Sequence, residues 1–383
     1  MTKIVKMSLI AAIAVAGTTA SAQPLAEAIK NVDVSGTVVY RYNDYEDQAN
    51  GKKSVAASDS ATNNYKVAID LKSKVNDDVT FNARIQAGKA GTTDEASLGT
   101  SNSADQNLDI EVSEVNFTYT GVNNLALTVG KQGIATPWTI HRDALGNEQT
   151  GTGAVAVYNV GPVTLVGAYF NQTNFDTSDI SALVNGSEDI YVLGAMGTFS
   201  GVTVDAFYAD LADVFDSYTL GVAGSFDLGN VALSPFARYT SLDLDNNSKD
   251  NSLWQIGLSA KMGMFNAFAA YGESDKDGGV VAIDLSAKTN MDYHWRVTAD
   301  GSADTEYTYV HVDADVTEKV NIGLFYSDAD YNSTGNNDVS EVYVQAKYKM
   351  SNNLTTYVRY GELSVDDSNE DGAMGRVHVQ YSF

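Results

Sequence analysis

Five arginines sit at alternate positions in segments whose other face is apolar: Arg41, Arg84, Arg238, Arg359 and Arg376. A second group of charges, Arg142, Asp143 and Glu148, falls in a connection bounded by glycines, and Glu114 lies on an alternating segment just before it. Fixed cations facing fixed carboxylates across a narrow aqueous space make a transverse field that sorts ions. The competing account of each arginine is a solvated residue paired with a neighbour. His141, His294, His311 and His378 lack metal-ligand spacing, and His311 alternates with Tyr307, Tyr309, Asp313 and Asp315 in a polar ladder. No nucleophile elbow, phosphate loop or zinc motif is present, and Gly194-Ala195-Met196-Gly197 fits strand packing better than phosphate binding. The residues thus argue against an enzyme and require no cofactor.

Metal binding has only fragments to support it. Asp243-Leu244-Asp245-Asn246-Asn247 has the spacing of a calcium loop but lacks its turn glycine and distal glutamate. Asp275-Lys276-Asp277-Gly278 and Asp366-Asp367 are similar fragments, suited to solvating loops or meeting divalent ions shared with lipopolysaccharide. Asp143, Glu148, Asp243 and Asp245 are the weak metal candidates.

The elements that must position these charges are strands. The chain ends Arg376-Val377-His378-Val379-Gln380-Tyr381-Ser382-Phe383, apolar at one set of alternate positions and polar at the other. The same period of two recurs from Asp33–Tyr42 onward. A phase change near Ser113 predicts a bulge. Short turns are expected at 76–78, 121–124, 161–162, 200–201, 228–230, 262–264, 317–319 and 351–353. Longer polar connections are expected near 43–63, 91–107, 132–151, 171–188, 212–216, 242–251, 274–304, 330–338 and 364–375. Strict short–long alternation over a whole chain predicts a transmembrane antiparallel β-barrel of about eighteen strands, with short periplasmic turns and long extracellular loops. Eighteen strands enclose an aqueous lumen.

Export is written at the N-terminus. Lys3 and Lys6, the apolar run Met7 to Val15 and Ala20-Ser21-Ala22 compose a signal peptide over 1–22, leaving 23–383 as one barrel domain. The apolar run is too short to cross roughly 30 Å of hydrocarbon. There are no cysteines and only 4 prolines, as suits a wall whose backbone groups all pair. The net charge of −25 argues against nucleic-acid binding and should favour cations in a pore, the alternative being that most of the acids sit in outer loops and only keep the surface solvated.

Pro24-Leu25-Ala26-Glu27-Ala28-Ile29-Lys30-Asn31-Val32-Asp33-Val34-Ser35-Gly36, followed by Tyr40-Arg41-Tyr42, resembles the start of the major outer membrane porin family of Campylobacter and related epsilonproteobacteria. Gly130-Lys131-Gln132, Trp138-Thr139 and Gly151-Thr152-Gly153 are similar to that family's third-loop region, and Lys347-Tyr348-Lys349 with the closing aromatic also fits. The resemblance implies an eighteen-stranded, homotrimeric general porin, often cation-preferring, with Ca2+ in the pore region.

The expected function is therefore outer-membrane diffusion of ions and small hydrophilic solutes, with an inward third loop (about 132–151) as constriction. Arg41, Arg84, Arg359 and Arg376 would form one basic wall opposite Asp143 and Glu148, with Arg142, Glu114, Arg238 and His311 also lining the lumen. The alternatives are a solute-specific channel, using Tyr307, Tyr309, Tyr343 and Tyr357, and a non-conducting acidic surface-layer protein. Expected partners are outer-membrane lipid, lipopolysaccharide and, through the strand ending at Phe383, the barrel-assembly machinery.

Overall fold

Alternation builds the wall. The computed structural model describes residues 32–45, 60–89, 91–98, 108–247, 249–332, 337–366 and 372–383. The signal segment and the start of the mature chain lie outside them. Eighteen strands form one antiparallel sheet: β1 Val32–Tyr45, β2 Ser60–Lys74, β3 Val79–Gly88, β4 Asp109–Tyr119, β5 Leu125–Gly133, β6 Thr150–Val160, β7 Val163–Thr173, β8 Ile190–Phe199, β9 Val202–Leu211, β10 Phe215–Gly224, β11 Ala232–Leu244, β12 Asp250–Met262, β13 Phe265–Ser274, β14 Thr305–Asp315, β15 Val320–Tyr331, β16 Val339–Lys349, β17 Leu354–Val365 and β18 Gly372–Ser382. Two two-residue pieces, Ala96–Ser97 beside β2 and Phe226–Asp227 continuing β10 along β11, complete the sheet.

Each strand pairs with the next, and β18 pairs with β1, so the sheet closes. The closing register sets Val38 against Tyr381 and Arg41 against His378. Gly36 and Phe383 exchange both backbone hydrogen bonds, at 2.9 and 3.0 Å. Closure is what hydrocarbon demands, since an open strand edge there has no water to satisfy it.

One face of each strand is exposed and apolar, as at Phe117, Val129, Leu193, Leu220, Ile256, Leu324, Val344 and Val358. Outward aromatics gather near the strand ends, including the contacting pairs Tyr169–Tyr191 and Tyr218–Tyr239. These are the lipid band and its interfacial girdle. The expected bulge is present. Arg84 pairs with Glu114 and Ile85 with Val112, leaving Ser113 as the extra residue. Val112 faces out, and the bulge turns Glu114 inward, where it is buried.

The loop lengths differ from expectation at one place. The connection expected over 212–216 is only the turn 212–214, fixed by a Val214 N–H to Leu211 C=O bond of 2.9 Å. The larger surprise is the connection 275–304. It carries its own apolar side chains into a buried cluster with the inner faces of β12 to β18. Val281, Met291, Trp295, Val297 and Ala299 meet Tyr307, Tyr309, Phe325, Tyr343 and Leu363 there. A second cluster joins Ile134 and Trp138 of 134–149, Phe175 and Ile180 of 174–189 and Ile283 to the inner faces of β7 to β11. Each fully buried side chain of this kind contributes about 1.5–3 kcal/mol.

The two faces differ in what they tolerate. Replacing the lipid-facing Leu324, 56% exposed on β15, by arginine should destabilise the barrel by about 2–4 kcal/mol in lipid. Urea unfolding in liposomes measures this.

Candidate pore constriction

The 134–149 connection is fastened to the inner wall by one buried carboxylate. Glu148 has no exposed surface. Its Oε2 accepts from Arg84 Nε at 2.9 Å and its Oε1 from Arg84 Nη2 at 2.7 Å, a two-pronged pair. Gln86 Nε2 adds a bond of 2.5 Å and Lys66 Nζ lies at 3.3 Å. Arg84 Nη1 also reaches Asp70 at 2.7 Å. Thus β2 and β3 supply three inward groups, Lys66, Arg84 and Gln86, that grip one loop residue. Lys66 Nζ further donates to the Gly146 carbonyl at 2.9 Å.

A second clasp comes from the bulged strand. Glu114 accepts from His141 Nε2 at 3.2 Å and pairs closely with Arg142 Nη1. Arg142 extends to Asp70 at 3.4 Å and to Glu148 at 3.7 Å. The imidazole of His141 can lie here because position 133 is glycine; a Cβ there would come within 1.7 Å of the ring.

From these clasps the segment reaches the other side of the interior. Trp138, fully buried, donates from Nε1 to Ser217 Oγ of β10 at 2.8 Å. There it meets 275–304: the Trp138 carbonyl accepts from Ile283 and Asp284 at 3.0 and 3.1 Å, and the Pro137 carbonyl from Thr289 at 3.1 Å. Gln149 Nε2 donates to Asp284 at 2.8 Å and the Leu285 N–H to Asp179 at 2.8 Å. Three connections are thus tied together inside the barrel.

The inward arginines separate into two kinds. Arg84, expected in the basic wall, is buried in the Glu148 clasp, because Asp70 and Glu148 are its nearest inner neighbours. Glu148 accordingly faces that arginine rather than open lumen. Arg238 stands apart on β11, paired with Asp205 at 2.9 Å and with Thr219 Oγ1 at 2.9 Å. Arg41, Arg359 and Arg376 form the expected group on β1, β17 and β18. Arg359 and Arg376 are direct cross-strand partners. Their Nε atoms donate to neutral acceptors: Arg359 to Gln345 at 2.7 Å, Arg376 to Asn43 at 2.6 Å and Arg41 to His378 Nδ1 at 3.3 Å.

Asp143 turns its Oδ1 onto the Leu145 and Gly146 N–H groups of its own loop, at 2.9 and 2.7 Å. Through space it acts on Arg41 and on Asp284 and Asp292. Asp179, Asp284 and Asp292 escaped the sequence reading. Burial pushes Asp284 up to about 6, against bonds from Ser286 and Gln149 that pull it down, with Asp179 and Asp143 adding repulsion. Burial also raises Asp292, although its hydrogen bond from Ser286 opposes this. Two of the metal candidates already have other partners. Glu148 is already neutralised by Arg84 and Lys66, Asp143 is engaged by its own loop, and among the described residues no three His, Asp or Glu side chains converge.

The expected aromatic lining is also redistributed. Tyr307, Tyr309 and Tyr343 do point inward, but they are 0%, 0% and 2% exposed beneath 275–304. Tyr357 alone of the four stacks on His378, at 4.6 Å. His311 contacts 275–304 through His294, whose Nε2 lies 3.1 Å from His311 Nδ1. His294 Nδ1 meets Ser327 Oγ at 2.5 Å. Glu341 receives that serine at 3.0 Å and the Trp295 and Arg296 N–H groups at 3.0 and 2.8 Å. The signal that could have revealed this insertion was Val280-Val281-Ala282-Ile283 and Tyr293-His294-Trp295 within a connection otherwise rich in polar residues.

The family's sequence profile matches residues 2–383. The chain belongs to the Campylobacter major outer membrane protein family. It is an outer-membrane β-barrel of the porin type. Solved structures share its fold at low identity. OccK9 (OpdG) of Pseudomonas aeruginosa is 16% identical with a TM-score of 0.75, over 93% of this chain and 99% of that one. A BenF-like porin of Pseudomonas fluorescens is 15% identical with a TM-score of 0.74, over 92% and 99%. OccAB4 of Acinetobacter baumannii is 13% identical with a TM-score of 0.73, over 92% and 98%. No curated protein matches the sequence.

Two outcomes follow from the clasps. Glu148→Ala leaves Arg84 and Lys66 buried without their carboxylate, a loss of about 3–5 kcal/mol. Residues 134–149 should detach, and single-channel recordings should show a larger, noisier conductance. The second outcome concerns 275–304. Burial, with the positive fields of His311 and Arg359, holds His294 down at about 3 against an ordinary 6.5. The packed insert therefore takes this histidine neutral. The part of its docking that needs neutral His294 is fully present above about pH 6.5 and weakens by up to tenfold per unit as pH falls below that, while the raised carboxyl of Asp284 on the same insert acts in the opposite sense below about pH 6. Hydrogen exchange of residues 291–299 between pH 7 and pH 4.5 should therefore show less loss of protection on acidification in His294→Gln than in wild type.

Proposed function

We propose that the protein is a general diffusion porin with a cation preference, whose constriction lies between the inserted connections and the β17–β18–β1 wall. The observation that carries this reading is the path of 134–149, from the Arg84–Glu148 pair to Ser217 of β10. A segment anchored at both sides of the interior narrows it. Asp143, Asp179, Asp284 and Asp292 stand on the inserts, and Arg41, Arg359 and Arg376 stand on the wall. Cations pass nearer the acids, and the net charge of −25 enriches them at the mouths. Solutes pass by size and by their orientation in that field.

The same reading includes an N-terminal signal peptide, a homotrimer in lipid and lipopolysaccharide, and delivery to the barrel-assembly machinery by the strand ending in Phe383. The apolar outer band suits a lipid surround and gives no support to a surface-layer role.

Planar-bilayer recordings in a KCl gradient test the channel and its charge. Wild type should give stable aqueous conductance with a reversal potential on the cation side. Asp143→Asn/Asp292→Asn should move that potential toward anions. Absent conductance would remove the channel reading, and an unmoved potential would remove the acids from the constriction.

A further inference from the structure

The three wall arginines present an arrangement that a passive lining does not need. Arg359 and Arg376 occupy directly opposed positions on β17 and β18, a like-charge pair that costs stability in a sheet. Arg41 is on the next strand, opposite His378. The described ion pairs include none with these three, whereas Arg84 and Arg238 are each matched to carboxylates. Asp143 and Glu95 act on Arg41, and Asp292 on Arg359, only at longer range.

The three are nevertheless held firmly. Each is tethered at Nε by a neutral acceptor, Gln345, Asn43 or His378. Aromatic faces support the guanidinium planes: Arg359 lies 4.9 Å from the centre of Tyr357 and 5.2 Å from Tyr343, and Arg376 lies 5.0 Å from Trp295. Arg376 Nη2 makes one long contact, 3.4 Å, to the Tyr45 hydroxyl. Tethering at Nε and stacking on rings fix the orientation while leaving Nη donors for another acceptor. Paired, oriented Nη groups match the two oxygens of a carboxylate.

We infer that Arg41, Arg359 and Arg376, with the Tyr357–His378 stack beside them, form a binding site for small organic carboxylates within the lumen. The inference deepens the channel reading and rests on it for transport, though not for binding. The carboxylate neutralises a repulsion that the wall leaves open.

Benzoate and its neutral relative benzamide are the probes. Calorimetric titration of the detergent-purified full barrel should show saturable benzoate binding at least tenfold tighter than benzamide. Benzoate added to one side of a bilayer should reduce the KCl current saturably. Arg359→Gln/Arg376→Gln should weaken benzoate binding at least tenfold, and Arg359→Lys/Arg376→Lys should restore part of it. Equal binding of the two probes by wild type, or undiminished binding by a folded glutamine variant, would overturn the site. Binding without any conductance would support the site and overturn the channel reading instead.

Discussion

Everything in this molecule depends on the closure of the sheet. In hydrocarbon no backbone N–H or C=O can be left to water, so the last strand must find the first. The Gly36–Phe383 exchange and the β1–β18 ladder make that final seam. Because the backbone satisfies itself all the way round, the inner side chains are released from holding the wall together. They are free to be polar, charged or bulky. The seam also has a chemical consequence. It brings position 41 beside positions 376 and 378, from opposite ends of the chain, and so creates the arginine group.

A barrel wall cannot by itself place a loop in its own lumen, because water competes for every polar contact there. The inserts carry their own driving force. Ile134, Trp138, Phe175 and Ile283 in one cluster, and Val281, Met291, Trp295 and Val297 in the other, leave water against the inner wall. Apolar burial is non-directional, so it cannot choose where along the wall an insert attaches. The ion pairs do that. Glu148 can satisfy both oxygens only where Arg84, Gln86 and Lys66 converge, and a shift of one residue would bury the charges unpaired. The inserts are therefore set by hydrophobic packing in amount and by charged hydrogen bonds in position.

The wall was legible in the sequence because period-two alternation is a local signal. All eighteen strands, the bulge at Ser113 and the pairing of the terminal strand with Asp33–Tyr42 lie where alternation put them. The inward or outward direction of a side chain was legible for the same reason, as at Arg41, Arg359 and Arg376. Its partner was not, because alternation gives a side chain's direction but not which strand or loop residue it meets. Arg84 and Arg359 share a phase, yet one meets Glu148 and the other faces aromatics. The 275–304 insert was hidden because an apolar run inside a long connection has no period to announce it. Asp179, Asp284 and Asp292 went with it.

The contrast among the inner arginines carries one further step. Arg238 and Arg84 show that this chain readily matches an inner guanidinium to a carboxylate of the wall, with Asp205 two strands away and Asp70 on the next strand. With 49 acidic residues available, matching Arg359 would need only a glutamate at position 345, where glutamine already accepts from Nε. The amide keeps the tether and withholds the charge. Asn43 does the same for Arg376. A neutral acceptor in that place fixes the side chain without neutralising it, so the positive field stays in the lumen rather than being cancelled at the wall. The strain of two opposed arginines is thereby maintained by the residues that hold them. An acid at those positions would stabilise the sheet and silence the field, so the amides mark where this barrel keeps charge available to whatever passes.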